Sequence, residues 1–311
     1  ISLTGAHKKN IDNKEIFLSD YNNYCNGITF NICNGLIQKS TGQEHAFIWE
    51  IANQCNFACP YCQVMNDYPS PNPLKLLPRE WERAWRNIYN TYGQATIFVR
   101  GGEPSLFPNF FDIVGNIALY HSFAIQTNLS QDVSPFFQLN PEKIHIDAEF
   151  HPSNSDPICF IEKASMLKHK GFSLMIYCLA HPLYLKRLPI FKNLCDEAGL
   201  PCTVAAFWGS YKHKAYPESY NEEELEILAP YLGDKNHICY NLKGEVPRGK
   251  LCNAGFRSAV IKPDGTIVRC KYAPDEILGN IANNDIRLLT NPGVCAKHFC
   301  PHNEFDTVIE T

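Results

Sequence analysis

The chain has 311 residues, of which 45% are hydrophobic and 19% charged, a globular composition that is neither disordered nor membrane-like. Its formal net charge of −4 supplies no basic footprint for nucleic acid, and no apolar run reaches the roughly 18 residues of a membrane-spanning helix. Fourteen cysteines without an N-terminal secretory stretch point to a reducing cytoplasm rather than to a disulfide framework.

Residues 1–45 are polar and turn-rich, and read as an N-terminal arm or small hairpin. A buried strand over Phe47–Ile51 then runs into a loop holding Cys55, Cys59 and Cys62, with gaps of three and two residues. Three thiolates on one short loop can hold three corners of an iron–sulfur cube and leave one iron open to a small molecule. A structural zinc site is the alternative, but zinc pairs usually start with a two-residue gap and need a fourth ligand nearby. After a Pro-rich connection, Trp81, Trp85, Ile88 and Tyr92 recur at helical spacing, which predicts a helix over 78–92 with an aromatic core face. The strand Ala95–Val99 follows and ends in Arg100-Gly101-Gly102-Glu103-Pro104. Two glycines let backbone come close to a ligand, and the neighbouring carboxylate suits an ammonium group.

Strands and helices then alternate: helix 109–121, strands 123–126 and 143–149, helix 158–170, strand 172–178, helix 183–198 and strand 201–207. With the first two strands this makes six parallel strands, and chemistry in such folds gathers at the C-terminal strand ends. Thr127 and Asn128 end the third strand. Alternation puts His145, Asp147 and Glu149 on one face of the fourth strand, with His151 continuing that side. Two interior carboxylates and a histidine are costly unless they meet something polar, a ligand or a satisfied core network. Cys178 ends the fifth strand, and His181, before Pro182, reads as a surface loop residue.

The connector 211–249 contains Tyr216 and Tyr220, candidates for substrate contact, and Cys239 near its end. In the last part, 250–311, Cys252, Cys270, Cys295 and Cys300 are separated by gaps of 17, 24 and 4 residues. A Pro263-Asp264-Gly265 turn between two β runs predicts a hairpin there. Four thiolates suit either a closed second cluster or a zinc knuckle.

The Cys-x3-Cys-x-aromatic-Cys loop after a first strand, followed by Gly-Gly-Glu-Pro at the end of the second, resembles the radical S-adenosylmethionine (SAM) superfamily over roughly 47–300. The resemblance implies an α/β fold: a partial TIM-like (β/α)6 barrel over 46–210 with a small Cys-rich auxiliary-cluster domain of SPASM or twitch type at the C-terminus. It implies a [4Fe-4S] cluster on Cys55, Cys59 and Cys62 and SAM seated by Gly101, Gly102, Glu103 and Pro104. It places Tyr61 near the adenine and Thr127 and Asn128 near the methionine or ribose; the interior carboxylates Asp147 and Glu149 are then expected to contact the SAM ribose or the substrate. Cys252, Cys270, Cys295 and Cys300 would ligate one auxiliary [4Fe-4S] cluster; the later dense cysteine run of a full SPASM pattern is missing.

The activity so implied is reductive cleavage of SAM to a 5′-deoxyadenosyl radical that abstracts hydrogen from an unactivated C–H bond. A flavodoxin- or ferredoxin-type reductant would serve it, without nucleic acid or membrane partners. The expected substrate is a ribosomal peptide (epimerised, oxidised or cross-linked) or a sugar-like natural product, with Cys178 or Cys239 as candidate hydrogen donors in an epimerisation. The reading from another class is a non-catalytic iron–sulfur or zinc protein.

Overall fold

The computed structural model describes residues 45–62, 73–231 and 247–297, together with Cys300 and the short strand Val308–Ile309. The expected N-terminal arm and Cys239 lie outside the described residues. Strand β1 (His45–Ala52) leads through the cysteine loop to helix α1 (Pro78–Tyr92) and β2 (Ala95–Gly101). Then come α2 (Phe110–Ile117), β3 (Ser122–Thr127), β4 (Ile144–Phe150), α3 (Pro157–His169), β5 (Ser173–Ala180), α4 (Leu188–Glu197) and β6 (Cys202–Ala206). β1 to β6 pair in that order and in parallel, as in a (β/α)6 partial barrel.

One face of this sheet is sealed by helices. On β1, Phe47 and Trp49 are fully buried, and Trp49 packs 4.7 Å from Trp81 and 5.5 Å from Trp85 of α1, ring centre to ring centre. Trp81 and Trp85 of α1 are therefore core, as their spacing indicates. On β4, Phe150 stacks 3.7 Å from Phe191 of α4 and lies 5.3 Å from Phe160 of α3. Buried His121 ties α1 to β2 by accepting the Ala95 N–H at 3.1 Å, with its other ring nitrogen 3.0 Å from the Trp85 carbonyl. That leaves its Nε2 as the donor in the neutral ring.

Two expected elements differ in detail. The single helix over 183–198 is a 3₁₀ segment, Pro182–Arg187, followed by α4, because Pro189 has no amide hydrogen to continue the ladder from the preceding turn. The helix over 109–121 is shorter: α2 starts at Phe110, after Asn109 in the left-handed region at φ 56°, and ends at Ile117.

Beyond β6 come the short pair β7 (Gly209–Tyr211) and β8 (Lys214–Tyr216), and helix α5 (Glu222–Leu228). The C-terminal part supplies β9 (Leu251–Cys252), β10 (Ser258–Ile261), β11 (Thr266–Cys270), β12 (Ala273–Asn280), β13 (Gly293–Val294) and β14 (Val308–Ile309). The expected hairpin is β10–β11, and it does not stand apart. β10 pairs in parallel with β1 from Ala46↔Ser258 to Trp49↔Ile261, so β10, β11 and β12 extend the main sheet to nine strands. Tyr92 of α1 reinforces the junction, donating to the Ile286 carbonyl and accepting the Leu288 N–H, both at 3.2 Å. Among the described residues, no helix is long and apolar enough to cross a membrane.

Candidate active site

The C-terminal ends of β1, β2 and β3 meet at one point. Past the end of β2, the Gly102 N–H donates to the Ala52 carbonyl at 2.7 Å and the Glu103 N–H to the Gln54 carbonyl at 2.8 Å. The Gly-Gly-Glu turn is thus laced to the start of the cysteine loop. Glycine is required by that approach: a Cβ on Gly101, at φ +146°, would stand 2.1 Å from the Ala52 oxygen, and one on Gly102 2.0 Å from the Gln54 oxygen. The close approach is to the chain's own backbone.

Glu103 is 2% exposed. Its Oε1 accepts from Ser105 N at 3.1 Å, Ser105 Oγ at 2.6 Å and Thr127 Oγ1 at 2.8 Å, while Oε2 accepts from Asn128 N at 2.7 Å. A buried carboxylate needs such donors. Oε2, with Asn128 N as its one hydrogen-bond partner among the described residues, keeps a lone-pair direction to spare. Pro104 begins the 3₁₀ turn that Glu103 caps.

Asn128 closes the circle. Its side-chain amide lies 3.8 Å from Cys55 Sγ and 3.3 Å from Asn56 Oδ1, and Ser130 donates to the same Asn56 oxygen at 3.1 Å. Lys163 of α3 pins the turn by donating to the carbonyls of Leu129 and Ser130 at 2.8 and 2.9 Å.

The thiols sit among donors. The Phe57 N–H lies 3.4 Å from Cys55 Sγ, and Asn154 Nδ2 lies 3.1 Å from Cys59 Sγ. Burial pushes the Cys55 thiol up, reinforced by Glu103 and by Cys59 and Cys62. Burial also raises Cys59, but His151 and Ser153 outweigh it and hold that thiol below its ordinary value. His151 is the counterpart: burial alone would lower it, but Cys59 and Glu149 carry it above the usual imidazole range. Asn154 and Ser153 escape detection in the sequence because nothing local links the turn after β4 to a loop about 95 residues earlier.

The free thiols and the N–H groups turned toward their sulfurs fit a thiolate-held cluster, whose potential such bonds tune. Among the described residues, no three His, Cys, Asp or Glu close to the spacing of a single metal ion. A cubane binds its thiolates on separate irons and does not need that spacing.

Tyr61 is 9% exposed, with its ring 5.0 Å from His181 and 6.3 Å from Tyr184, and its hydroxyl 3.3 Å from His151 Nδ1. Burial holds the Tyr61 hydroxyl well above its usual range. His181, expected at the surface, is 2% exposed. Tyr61, Phe207 and Tyr211 enclose it, its ring nitrogen accepts the Leu183 N–H at 3.2 Å, and burial pushes it down to about 4.

Asp147 and Glu149 share the sheet face opposite the helices. Gln126 donates to Glu149 and pairs in register with Asp147. Asp147 Oδ1 lies 3.2 Å from His145 Nε2, in a geometry that makes no hydrogen bond and leaves that buried oxygen without one. Glu149 Oε2 is 3.6 Å from His151 Nε2, which links this face to the cysteine loop.

Other expected residues lie elsewhere. Cys178 is in register with Phe150 and so shares its helix-facing side; burial pushes the thiol up to about 12. It is not brought to the site. Tyr216 and Tyr220 are buried, and Tyr220 is structural: its hydroxyl donates to Ala180 O at 2.6 Å and accepts the Phe207 N–H at 2.9 Å.

Cys252, Cys270 and Cys295 converge within electrostatic reach of one another. Burial raises the first two, opposed by N–H groups 3.4 Å from their sulfurs, from Ala254 to Cys252 and from Tyr272 to Cys270. This is the micro-turn seen at Cys55. Cys300 is half-buried, in a bridge position.

Comparison with known proteins agrees with this geometry. Residues 49–153 match the model of the Radical SAM superfamily. Two curated relatives are both described as GTP 3′,8-cyclase. That of Haemophilus influenzae (strain 86-028NP) is 23% identical over 230 residues, 71% of this chain and 64% of the relative. That of Actinobacillus succinogenes is 29% identical over 105 residues, 32% of this chain. The chain therefore spans 31% and 64% of the lengths of the curated relatives it matches.

Among solved structures, anSMEcpe with bound AdoMet is similar at TM-score 0.57 and 15% identity, over 77% of this chain and 78% of that one. Streptococcus suis SuiB bound to S-adenosylmethionine is similar at TM-score 0.52 and 15% identity, over 74% and 61%. At such identities the likeness is one of fold. The thiol loop and the glycine turn laced to it both lie in residues 49–153, which carry the Radical SAM superfamily domain.

Proposed function

We propose that the protein is a radical SAM enzyme that abstracts hydrogen from a C–H bond of a peptide. The observation that carries the radical chemistry is the lacing of Gly102 and Glu103 to Ala52 and Gln54, which sets a buried carboxylate beside the Cys55, Cys59 and Cys62 loop. Those three thiolates would hold the cluster and leave one iron for S-adenosylmethionine. Bound there, the cluster and S-adenosylmethionine would supply a 5′-deoxyadenosyl radical by reductive cleavage.

The chain's own residues do the rest. Glu103 Oε2 would receive the methionine ammonium, and the amide of Asn128 would orient Cys55. Tyr61 would border the adenine, and Glu149 would offer a carboxylate to the ribose. The His151 ring ties Glu149 to Cys59. Cys252, Cys270, Cys295 and Cys300 would hold one auxiliary [4Fe-4S] cluster as electron acceptor, the route to an oxidised or cross-linked product. With Cys178 facing the helices, a hydrogen donor for epimerisation would have to come from elsewhere.

The open sheet face supports the choice of substrate. Asp147 and Glu149 lie on it, with one Asp147 oxygen lacking a hydrogen bond. Such a face, which also carries Arg100 by register, suits the hydrogen-bond donors and charged groups of a peptide. SuiB has a solved complex with a precursor peptide and anSMEcpe one with the Cp18Cys peptide, which accords with a peptide here.

The test is to reconstitute the protein without oxygen, add S-adenosylmethionine and a strong reductant, and supply either GTP or a peptide library. Peptide-stimulated 5′-deoxyadenosine formation with a peptide mass change is expected, and GTP consumption would overturn the peptide reading.

A further inference from the structure

Arg269 lies between Val268 and Cys270 on β11, and 12% of its side chain is exposed. Its guanidinium ties together the segments that carry three of the four C-terminal cysteines, Cys252, Cys270 and Cys295. Nε donates to the Ala254 carbonyl at 3.0 Å, and Nη2 lies 3.1 and 3.4 Å from the carbonyls of Gly293 and Val294. Nη1 donates to Glu276 of β12 at 2.9 Å. Ala254 is two residues beyond Cys252, Val294 immediately precedes Cys295, and Arg269 itself adjoins Cys270.

Two glycines make the room this needs. A Cβ on Gly255 would stand 2.7 Å from Arg269 Cγ, and one on Gly293 2.9 Å from Nη2. Ala254 has a double role, because the residue whose carbonyl Arg269 holds is also the one whose N–H points at Cys252 Sγ from 3.4 Å.

We propose that Arg269 is the positioning residue of the C-terminal cysteine site, fixing Cys252, Cys270 and Cys295 in one arrangement and setting a permanent positive charge beside their thiolates. The inference rests on the reading that these cysteines hold a metal or an iron–sulfur cluster. A planar fork with five donors serves three segments at once, which a lysine ammonium cannot match at several carbonyls in fixed directions. The charge also favours the more reduced, more negative state of any thiolate-bound centre, so its loss moves the potential down.

The experiment uses the full chain with Cys55, Cys59 and Cys62 all changed to Ala, so that bound metal belongs to the C-terminal site. Iron, sulfide and zinc are counted after anaerobic reconstitution, retention is titrated with a chelator, and the reduction potential is followed by electron paramagnetic resonance. The same is done with Arg269→Met and Arg269→Lys added, with circular dichroism as the folding control. The expected result is retention weakened about 10- to 100-fold in Arg269→Met, with the potential shifted negative. Arg269→Lys should weaken retention as well but keep the potential near that of the parent. Retention and potential unchanged in both variants would overturn the role of Arg269 alone. A parent that binds neither iron nor zinc would instead overturn the reading on which it rests. Should Arg269→Met fail to fold, Arg269→Lys decides: retention equal to the parent overturns the proposal, and a loss supports it.

Discussion

Glu103 Oε2 accepts the backbone N–H of Asn128 at 2.7 Å, while the Asn128 side-chain amide lies 3.8 Å from Cys55 Sγ. Through these two residues the ends of β2 and β3 are tied to the thiol loop that follows β1. The carboxylate is therefore a keystone of the loop.

Replacement of Glu103 by Ala removes the acceptor for Ser105, Thr127 and Asn128 in a buried place. Each stranded donor costs about 1–3 kcal/mol. With partial relaxation, urea denaturation should show a loss of about 3 kcal/mol. A loss near zero would mean that the carboxylate is not part of the scaffold.

Gly102→Ala would put a methyl group 2.0 Å from the Gln54 carbonyl oxygen. Overpacking of this kind costs about 1–3 kcal/mol, and the loop must move to relieve it. Iron bound at the first cluster should fall while the C-terminal site keeps its content. Unchanged iron binding and melting temperature would contradict the lacing described here.

His181 is held neutral by burial at about 4, against an ordinary 6.5. The unfolded chain therefore binds a proton at higher pH than the folded one, so stability rises with pH across this window. The contribution is present above about 6.5 and is lost as pH falls toward about 4. His181→Asn keeps an acceptor for the Leu183 N–H without the titration, so the melting temperature should fall less between pH 7 and pH 5 than in the parent. The parent–variant difference isolates this group from His151, which shifts in the opposite direction. Equal acid sensitivity would refute the assignment.

Much of this was legible in the sequence because its causes are local. Phe47, Trp49, Trp81 and Trp85 mark the helix-packed face by periodicity, and the spacing of Cys55, Cys59 and Cys62 needs no tertiary partner to be read. The parallel pairing of Ala46–Trp49 with Ser258–Ile261 had no such mark, since the two strands lie more than 200 residues apart in the chain. The burial of His181 is hidden from the sequence for the same reason: Tyr61, Phe207 and Tyr211, which cover it, come from three segments. Cys178 shows the limit of the rule that strand ends carry chemistry, because register, not position along the strand, decides which face a side chain serves.

The most direct test of the radical chemistry is 5′-deoxyadenosine release from S-adenosylmethionine by anaerobically reconstituted protein under a strong reductant, compared with Cys55→Ala. Release by the parent and none by the variant is the expected result. No release by a parent carrying its full iron content, or equal release by the variant, would contradict it.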